Sequence, residues 1–496
     1  MFQKQLVIFL LLLVLAGFLR FYKLGEWSFG FDELFTTLEA KILFGEASVP
    51  AEYLRNGTVK PEDTQYYRLP RLLCGSYAVH RLDYELFGED EWGSRVLPAI
   101  LGTLSVGVIF LLAQPLIGFA GAIILALLVM LLPEHILHCQ CNRFYIQSFF
   151  LISAVMLLGG RVAVQRSSAT ALWLGLFATL MVLSNSFGGI MWGGVLLAIL
   201  VNILCSKKSG EPLFTSKTRN VLLILTMWSV ILFGIFVFHI IPLAAGWNAG
   251  SVWGYTTLHA VMAFVNTLGW SLSLLALLGI GMILFNFRNN NNSYWLVLIL
   301  VSGISILLLP FKIVYNPFYG FLFSFPFLVA AAIFVREVYR LLLESSLPFR
   351  SLIAVVWVAV ALFQNFPSLY SYYQDGNRAD QRAAFQFVAE HWEDGDCLTG
   401  TQMGTAQYYI PNNTPRIPLR SFNTAEKLQT IYENEIDDGN RLWIVLPSWR
   451  EGLDFELRQW LCQHALLQAS FSKKRFDYIE NNLDVFLVPK KTRIEK

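Results

Sequence analysis

The chain has 496 residues, of which 55% are hydrophobic and only 15% are charged. Soluble domains carry roughly 25% charged residues, so this composition excludes an ordinary soluble protein. The formal net charge of +2 and the lack of a basic run give no indication of nucleic-acid binding. The six cysteines are too sparse for a dense disulfide framework.

Long apolar runs predict a polytopic α-helical membrane protein. A run of roughly 20 apolar residues is long enough to span a bilayer, and we count about eleven such spans. They lie at 5–20, 95–114, 117–133, 143–161, 170–184, 187–205, 220–242, 258–286, 293–310, 317–335 and 351–369. The first run ends at Arg20 without a small-residue cleavage motif, which favours an uncleaved helix over a secretory signal peptide.

Basic residues predict the orientation of these spans. They follow the fourth, sixth, eighth and tenth spans, at Arg161, Arg166, Lys207, Lys208, Lys217, Arg219, Arg288, Arg336, Arg340 and Arg350. Cytoplasmic loops carry an excess of Lys and Arg, so these loops and the N-terminus are predicted to be cytoplasmic. An odd number of spans then places the loop 22–94 and the C-terminal tail on the outer face, and we expect the membrane to be a bacterial inner membrane.

The first outer loop, 22–94, carries two adjacent acids, Asp32 and Glu33. Acids at a membrane edge are costly unless they are solvated, paired or used. A transferase that joins a hydroxyl group to an activated sugar needs a base near that hydroxyl, and Asp32 can serve as that base. Asp32 also fits the N-cap of an amphipathic helix predicted from Glu33 to Gly45, and the two roles are compatible. A second interfacial helix is predicted from Arg71 to Phe87.

The composition changes after the last span. Residues 1–372 form the predicted transmembrane domain, whereas 375–490 are polar, with short apolar strands between helical patterns. Helices are predicted at Arg378–Trp392, Thr424–Glu433 and Asp454–His464, and strands at Cys397–Thr401, Leu442–Leu446 and Asp484–Val488. This alternation predicts a small α/β domain on the outer face.

A second group of chemically capable residues follows the third span. Arg143 offers phosphate a planar fork of donors, and Tyr145 adds a hydroxyl group; anchoring of the fourth span at the interface is the alternative for Arg143. A zinc site is a further alternative, although its four possible ligands match no closed zinc-site spacing well. These possible ligands are His135, His138, Cys139 and Cys141.

The predicted outer loop between the ninth and tenth spans contains Lys312 and Tyr319. Both side chains can meet a lipid phosphate, and ordinary interfacial anchoring is the alternative.

Three stretches resemble the GT-C membrane glycosyltransferases, in the branch related to protein O-mannosyltransferases and the aminoarabinose transferase of lipid A. They are the Asp32-Glu33 pair, the run Leu86–Pro98, and His138–Tyr145, which is similar to a Tyr-Ser-Gln-Glu-Ala-Arg-Xaa-Tyr pattern. They cover about the first third of the chain. The resemblance implies a polyprenyl-phosphate sugar donor, an active site on the outer face and inversion at the sugar carbon.

The resemblance also implies roles for individual residues. Asp32 is the expected catalytic base, and Arg143 is expected to hold the donor phosphate. The expected substrate-binding residues are Glu33, Arg95, Arg143, Tyr145, Lys312 and Tyr319. The acceptor is a lipid, a glycan or a protein.

Two positions depart from the family pattern. Cys141 stands where the pattern has Glu, which weakens the case for a two-carboxylate metal site, so no cofactor is predicted and a divalent cation stays open. Phe318-Tyr319-Gly320 lacks the Arg that often precedes Tyr in the family, and Lys312 is the residue available to replace that charge.

Two other functions stay open. Secondary transporters usually place ionisable groups at mid-membrane and show repeated halves, whereas here the charges lie at segment ends and no repeat is found. The Cys141 departure keeps open a catalytically inactive membrane assembly or sensor protein whose outer domain binds a ligand.

Overall fold

The structure is a computed structural model of the chain. It describes residues 2–30, 33–34, 36–37, 40–41, 74–185, 187–205, 215–240, 256–287, 292–312, 318–376, 380–400, 403–410, 419–421, 424–437, 440–447, 455–472 and 482–490. The described residues fall into two compact units. The first draws on Met1–Tyr22, Gln65–Phe87 and Ser94–Leu369, and the second on Lys23–Thr64, Gly88–Gly93 and Tyr370–Lys496.

The first unit is helical. Its described α-helices are Phe2–Phe21, Cys74–Phe87, Val96–Met130, Pro133–Cys139, Tyr145–Gln165, Ser168–Ser184, Gly188–Cys205, Ser216–Ile235, Thr257–Leu268, Trp270–Phe285, Asn292–Lys312, Phe318–Leu322, Phe325–Glu344 and Arg350–Phe363. A 3₁₀ turn at Gly93–Arg95 precedes the long third helix, and a π-helical turn at Phe236–Ile240 follows Ile235.

Six helices among the described residues are long and apolar enough to cross a membrane, and a bent pair raises this number to seven. Large apolar side chains on these helices face outward; Val14 and Phe18, for example, are 68% and 65% exposed. Lipid is the solvent that such a surface requires, so the protein is an integral membrane protein. The predicted total of about eleven spans stays a prediction.

Glycine breaks interrupt two long helical stretches of the first unit. The stretch Val96–Met130 consists of two helices that meet at Gly118, where φ is 75° and ψ is 169°, and these helices correspond to the separate predicted runs 95–114 and 117–133. The run 258–286 is two helices that meet at Gly269 with a bend of 99°. Gly269 has a φ of 83°, a conformation that side chains with a Cβ rarely adopt, so the glycine permits the break.

A close helix contact positions the segment that follows the third predicted span. A Cβ added at Gly102 would lie 2.0 Å from the Sγ atom of Cys139. Small residues allow helices in membranes to approach closely. Gly102 therefore lets the long helix Val96–Met130 pack against the short helix Pro133–Cys139.

The second unit contains a five-stranded sheet in the order β2-β1-β3-β5-β4. The strands are β1 Cys397–Gly400, β2 Leu419–Ser421, β3 Leu442–Pro447, β4 Leu466–Ser472 and β5 Asn482–Val488. β1 pairs in parallel with β2 and β3, whereas β5 pairs antiparallel with β3 and β4. The described helices from Tyr370 onward are the C-terminal part of Phe366–Asp375, then Gln381–Glu390, Met403–Tyr409, Ala425–Asp437 and Phe455–His464.

Side chains alternate along β3 between two hydrophobic clusters. Trp443 and Val445 join the cluster that contains Phe385 and Tyr409. Leu442, Ile444 and Leu446 join the cluster around the helices Ala425–Asp437 and Phe455–His464. A period of two is what a sheet buried on both faces requires. The second unit therefore has the small α/β arrangement predicted for the C-terminal region. β2, β4 and the helix Met403–Tyr409 were not predicted from the sequence.

Candidate active site

The segment before the predicted base is part of the second unit. Asp32 itself lies outside the described residues, as does most of the predicted helix Glu33–Gly45. The carbonyl group of Gly30 accepts hydrogen bonds from the amides of Glu33 and Leu34, at 3.0 and 3.4 Å. The Oε2 atom of Glu33 accepts from the Gly30 amide at 2.9 Å. This reciprocal contact resembles half of a capping box, so the buried Glu33 side chain stabilises the start of a helical turn.

A hydrogen-bond network holds the same segment from its N-terminal side. The amide of Phe29 donates to the hydroxyl oxygen of Tyr409, and that hydroxyl donates to Glu91 Oε1 at 3.0 Å. Arg382 donates to the same oxygen through Nε and Nη2, at 3.2 and 2.6 Å. We call Glu91, Arg382 and Tyr409 the Glu91 network. None of these three residues is among the site residues predicted from the sequence.

In the first unit, several predicted site residues come together. The Tyr145 ring centroid lies 4.8 Å from that of His138 and 6.1 Å from that of Tyr319. The guanidinium carbon of Arg143 lies 5.9 Å from the centre of the Tyr145 ring, and the His138 ring lies 4.6 Å from Phe321. We call these five residues the Arg143 cluster. It combines one permanent cation, one imidazole and two phenol groups, which are hydrogen-bond donors suited to an anion.

Short helical elements build the Arg143 cluster. His138 is in the last turn of Pro133–Cys139, and Tyr145 begins the helix Tyr145–Gln165. Tyr319 and Phe321 are in the short helix Phe318–Leu322. The predicted span 317–335 therefore contains this short helix and the first part of the helix Phe325–Glu344. Glu134 lies one turn before His138, with its Oε2 atom 3.8 Å from Nε2 of the imidazole.

His135 belongs to a separate buried group. Arg20 Nη2 donates to His135 Nδ1 at 2.9 Å, and a guanidinium group can only donate. The ring proton is therefore on Nε2, which lies 3.0 Å from Ser105 Oγ and donates to it. Burial, followed by the charge of Arg20, lowers the pKa of His135 well below its usual value. A neutral imidazole whose acceptor nitrogen faces a cation is a poor metal ligand.

Arg95 ends the 3₁₀ turn before the long helix and is 1% exposed. Nearby in the sequence, the fully buried Asp83 accepts a hydrogen bond from the Leu97 amide at 2.9 Å through Oδ1. Its Oδ2 atom has no partner among the described residues. Burial raises the pKa of Asp83 to about 7, against a smaller lowering by the Leu97 amide. Sequence reasoning missed Asp83, because an acid in an amphipathic helix normally faces water.

The remaining predicted site residue is Lys312. Lys312 is the last residue of the helix Asn292–Lys312, and its side chain is outside the described part of the structure. Within that described part, no group of three His, Cys, Asp or Glu side chains is arranged to hold a metal ion.

Comparison with known proteins shows what the fold is. No family model matches the sequence, and no curated protein matches it. ArnT from Cupriavidus metallidurans in the apo state is similar with a TM-score of 0.55 and 14% identity over 98% of both chains. ArnT bound to undecaprenyl phosphate is similar with a TM-score of 0.53 and 15% identity, over 96% of this chain and 97% of the other.

An archaeal structure is similar as well. It is the oligosaccharyltransferase of Archaeoglobus fulgidus tethered to an acceptor peptide that contains the NVT sequon. Its TM-score is 0.55 at 12% identity, over 89% of this chain and 69% of the other. These similarities confirm the resemblance drawn from the sequence motifs: the chain has the GT-C fold of membrane glycosyltransferases.

Proposed function

We propose that the protein is a membrane glycosyltransferase that moves a sugar from a polyprenyl-phosphate donor to a lipid, glycan or protein acceptor on the outer face, with inversion. The observation that carries this proposal is the Arg143 cluster in a chain that matches ArnT along almost its whole length. One of the similar structures is an ArnT complex with undecaprenyl phosphate, which supports a lipid-linked donor.

We assign Arg143 to the departing phosphate. When the bond between sugar and phosphate breaks, negative charge grows on the phosphate oxygens and has to be stabilised. Arg143 keeps its charge at every relevant pH and offers paired donors. Tyr145 and Tyr319 add hydroxyl donors nearby, and the aromatic rings restrict the guanidinium group.

We assign Asp32 to the acceptor hydroxyl, as the general base that removes its proton. Glu33 follows it directly and closes the helical turn that begins at Gly30. The two adjacent acids thus have different roles. Asp32 performs the proton transfer, and Glu33 fixes the backbone and contributes to substrate binding.

We propose that the reaction needs no metal ion. A divalent cation such as magnesium or manganese is best held by several oxygen ligands, and Cys141 occupies the position where the family pattern has Glu. Arg143, assisted by Lys312, then supplies the positive charge that a metal ion would otherwise provide.

One observation favours a second function, secondary transport. The bend of 99° between Thr257–Leu268 and Trp270–Phe285 is the kind of broken helix that transporters use at their binding sites. Transport and transfer differ in their products, so a single assay distinguishes them.

The test is transfer from a defined donor. Purified protein in detergent receives a polyprenyl-phosphate sugar with a labelled sugar, together with total membrane lipid, glycan or protein as the acceptor. We expect release of polyprenyl phosphate and a labelled product of inverted anomeric configuration. Intact donor after prolonged incubation with every acceptor class would contradict the proposal. Lipid-linked sugars that accumulate in cells without the protein would identify the donor.

A further inference from the structure

The Glu91 network contacts the backbone directly before the two acids. We propose that Glu91, Arg382 and Tyr409 are positioning residues that hold Ser28–Gly30, and thereby the acids that follow, in place for the transfer reaction. This inference rests on the proposed function. It gives the C-terminal α/β domain a part in catalysis, in addition to any role in acceptor access.

The network fixes the direction of each hydrogen bond. Glu91 accepts from Arg382 and from the hydroxyl group of Tyr409. Because the Tyr409 proton is used in the bond to the carboxylate, the hydroxyl oxygen presents a lone pair to the Phe29 amide. Arg382 Nη2 also donates to the carbonyl of Gly25 at 3.4 Å. The Glu91–Arg382 pair thus restrains the chain directly at Gly25 and, through Tyr409, at Phe29.

Side-chain packing adds a second restraint. Phe29 is fully buried in the hydrophobic cluster of the α/β domain, together with Phe385 and Leu398. The Gln381 amide donates to Ser28 Oγ at 3.2 Å. Residues of the helix Gln381–Glu390 therefore fix both the backbone and the side chains of the segment that precedes Gly30.

Only a short stretch of sequence separates the restrained segment Ser28–Gly30 from the proposed base, Asp32. Gly30 starts the turn that Glu33 closes, and Asp32 directly precedes Glu33 in the sequence. A displacement of the order of 1 Å at a catalytic group can reduce a rate about 100-fold. Loss of the network should therefore lower kcat. The KM for the donor should stay unchanged, because the residues assigned to the donor phosphate belong to the Arg143 cluster.

Two neighbouring tyrosines provide a matched pair of variants. Tyr409→Phe removes the hydroxyl group that accepts from Phe29. Tyr408→Phe removes a hydroxyl group that donates to the Glu89 carbonyl at 3.5 Å, and it keeps the aromatic ring that packs edge-on against Phe29, at 5.1 Å. We expect Tyr409→Phe to lower kcat about 10- to 100-fold at constant donor KM, and Tyr408→Phe to stay within about twofold of the wild type.

Hydrogen exchange of the full-length protein measures the anchor without reference to turnover. The Tyr409→Phe variant should exchange the amide of Phe29 faster than the wild type does, whereas Tyr408→Phe should not. The double variant Glu91→Gln/Tyr409→Phe should be no slower in turnover than the more impaired single variant, because both changes break one network.

The outcomes separate this inference from the proposed function. An active wild type in which Tyr409→Phe and Tyr408→Phe turn over equally fast would overturn the positioning role. Equal exchange of Phe29 in wild type and Tyr409→Phe would overturn the anchor itself, whatever the activity. A wild type without any transfer overturns the proposed function and the catalytic part of this inference, and the exchange result still decides whether the anchor exists.

Discussion

Two arginines, one in each unit, occupy contrasting surroundings. In the second unit, Arg441 donates to both carboxylate oxygens of Asp396, at 2.9 and 2.6 Å, and also to Glu393 and to the His391 carbonyl. In the first unit, Arg143 lies over the rings of Phe144 and Tyr145, at 5.2 and 5.9 Å. The carboxylate contacts of Arg441 are those of a guanidinium group that stabilises a fold, whereas the ring faces beside Arg143 fit its proposed role as a phosphate ligand.

The largest expected effect is the loss of activity when the proposed base, Asp32, is replaced. The effects of replacing residues around the two arginines can be compared with it. We expect Asp32→Asn to abolish transfer, a loss of about 10²–10⁴-fold, because Asn is nearly isosteric but cannot accept the proton. Expression and thermal unfolding should match the wild type. The measurement is single-turnover transfer with purified protein. Asp90→Asn, a nearby exposed acid, is the matched control, and near wild-type turnover by Asp32→Asn would remove Asp32 from the base role.

The next largest effect is expected when Arg441 loses its carboxylate partner, Asp396. Asp396 is 1% exposed and also accepts from the indole of Trp443 at 2.8 Å. Asp396→Ala leaves Arg441 without this partner and should destabilise the α/β domain by about 3–5 kcal/mol. In limited proteolysis of the full chain, the Asp396→Ala variant should be cleaved earlier than the wild type at sites C-terminal to residue 375. Glu393→Gln is the control, because the Glu393 side chain is exposed and the change should cost less than about 1 kcal/mol; equal protease resistance of all three proteins would contradict the assignment.

Arg143, which we propose as the phosphate ligand, should show the opposite pattern. Arg143→Ala should cost about 2–4 kcal/mol of transition-state stabilisation, with little change in the unfolding temperature. Arg143→Lys should recover only part of this loss, since Lys keeps the charge and lacks the fork. Kinetics with a labelled donor and a thermal scan of the same samples give both values. A large fall in the unfolding temperature without a kinetic defect would make Arg143 a structural residue like Arg441.

Asp83 is a buried acid that can be compared with the two arginines. Burial and the Leu97 amide, rather than a neighbouring cation, set its pKa. Its pKa of about 7 exceeds its ordinary value of 3.8, so folding favours the protonated form. This contribution to stability is complete below about pH 4 and is lost as the pH rises to about 7. Asp83→Asn should therefore gain stability relative to the wild type with rising pH, by a few kcal/mol at most, on the order of 1.4 per unit of pKa change.

The measurement for Asp83 is the unfolding temperature of wild type and variant between pH 4 and 8. Asp90→Asn serves as the control because Asp90 is exposed. A constant difference between Asp83→Asn and wild type across this range would mean that Asp83 does not titrate in the fold as described.

The smallest expected effect concerns metal ions. If Arg143 supplies the charge that a metal would supply, transfer should continue at an unchanged rate in the presence of a chelator. The assay compares initial rates with and without EDTA, and then after addition of manganese. If chelation stops transfer and manganese restores it, the metal-free mechanism is wrong, and Glu33 or Glu134 becomes the next ligand to test.

Local patterns predicted much of this architecture. Long apolar runs located the helices of the first unit, and short apolar segments between helical patterns located β1, β3 and β5, because each signal depends only on near neighbours. The family resemblance gave Arg143, Tyr145 and Tyr319 as substrate-binding residues, and the structure places Tyr145 near both of the others. Short elements such as β2, with three residues, carry too little periodicity to be recognised.

Long-range contacts were beyond sequence reasoning. Phe29 and Tyr409 are separated by 380 positions, and nothing local to Tyr409 distinguishes it from Tyr408. The same holds for Asp83, whose burial depends on how helices pack together. The glycine at position 269 was visible in the apolar run 258–286, but a glycine alone does not separate a smooth span from a broken one.

The break at Gly269 has a consequence for how the protein is made. The carbonyl of Leu268, at the end of the first arm, accepts a hydrogen bond from the Asn365 side chain at 3.2 Å. These two residues are 97 positions apart, and chains emerge from the ribosome N-terminal end first. The bent pair therefore enters the membrane before its hydrogen-bond partner has been synthesised. The hydrogen bond at the bend can therefore form only after the segment that carries Asn365 has been synthesised.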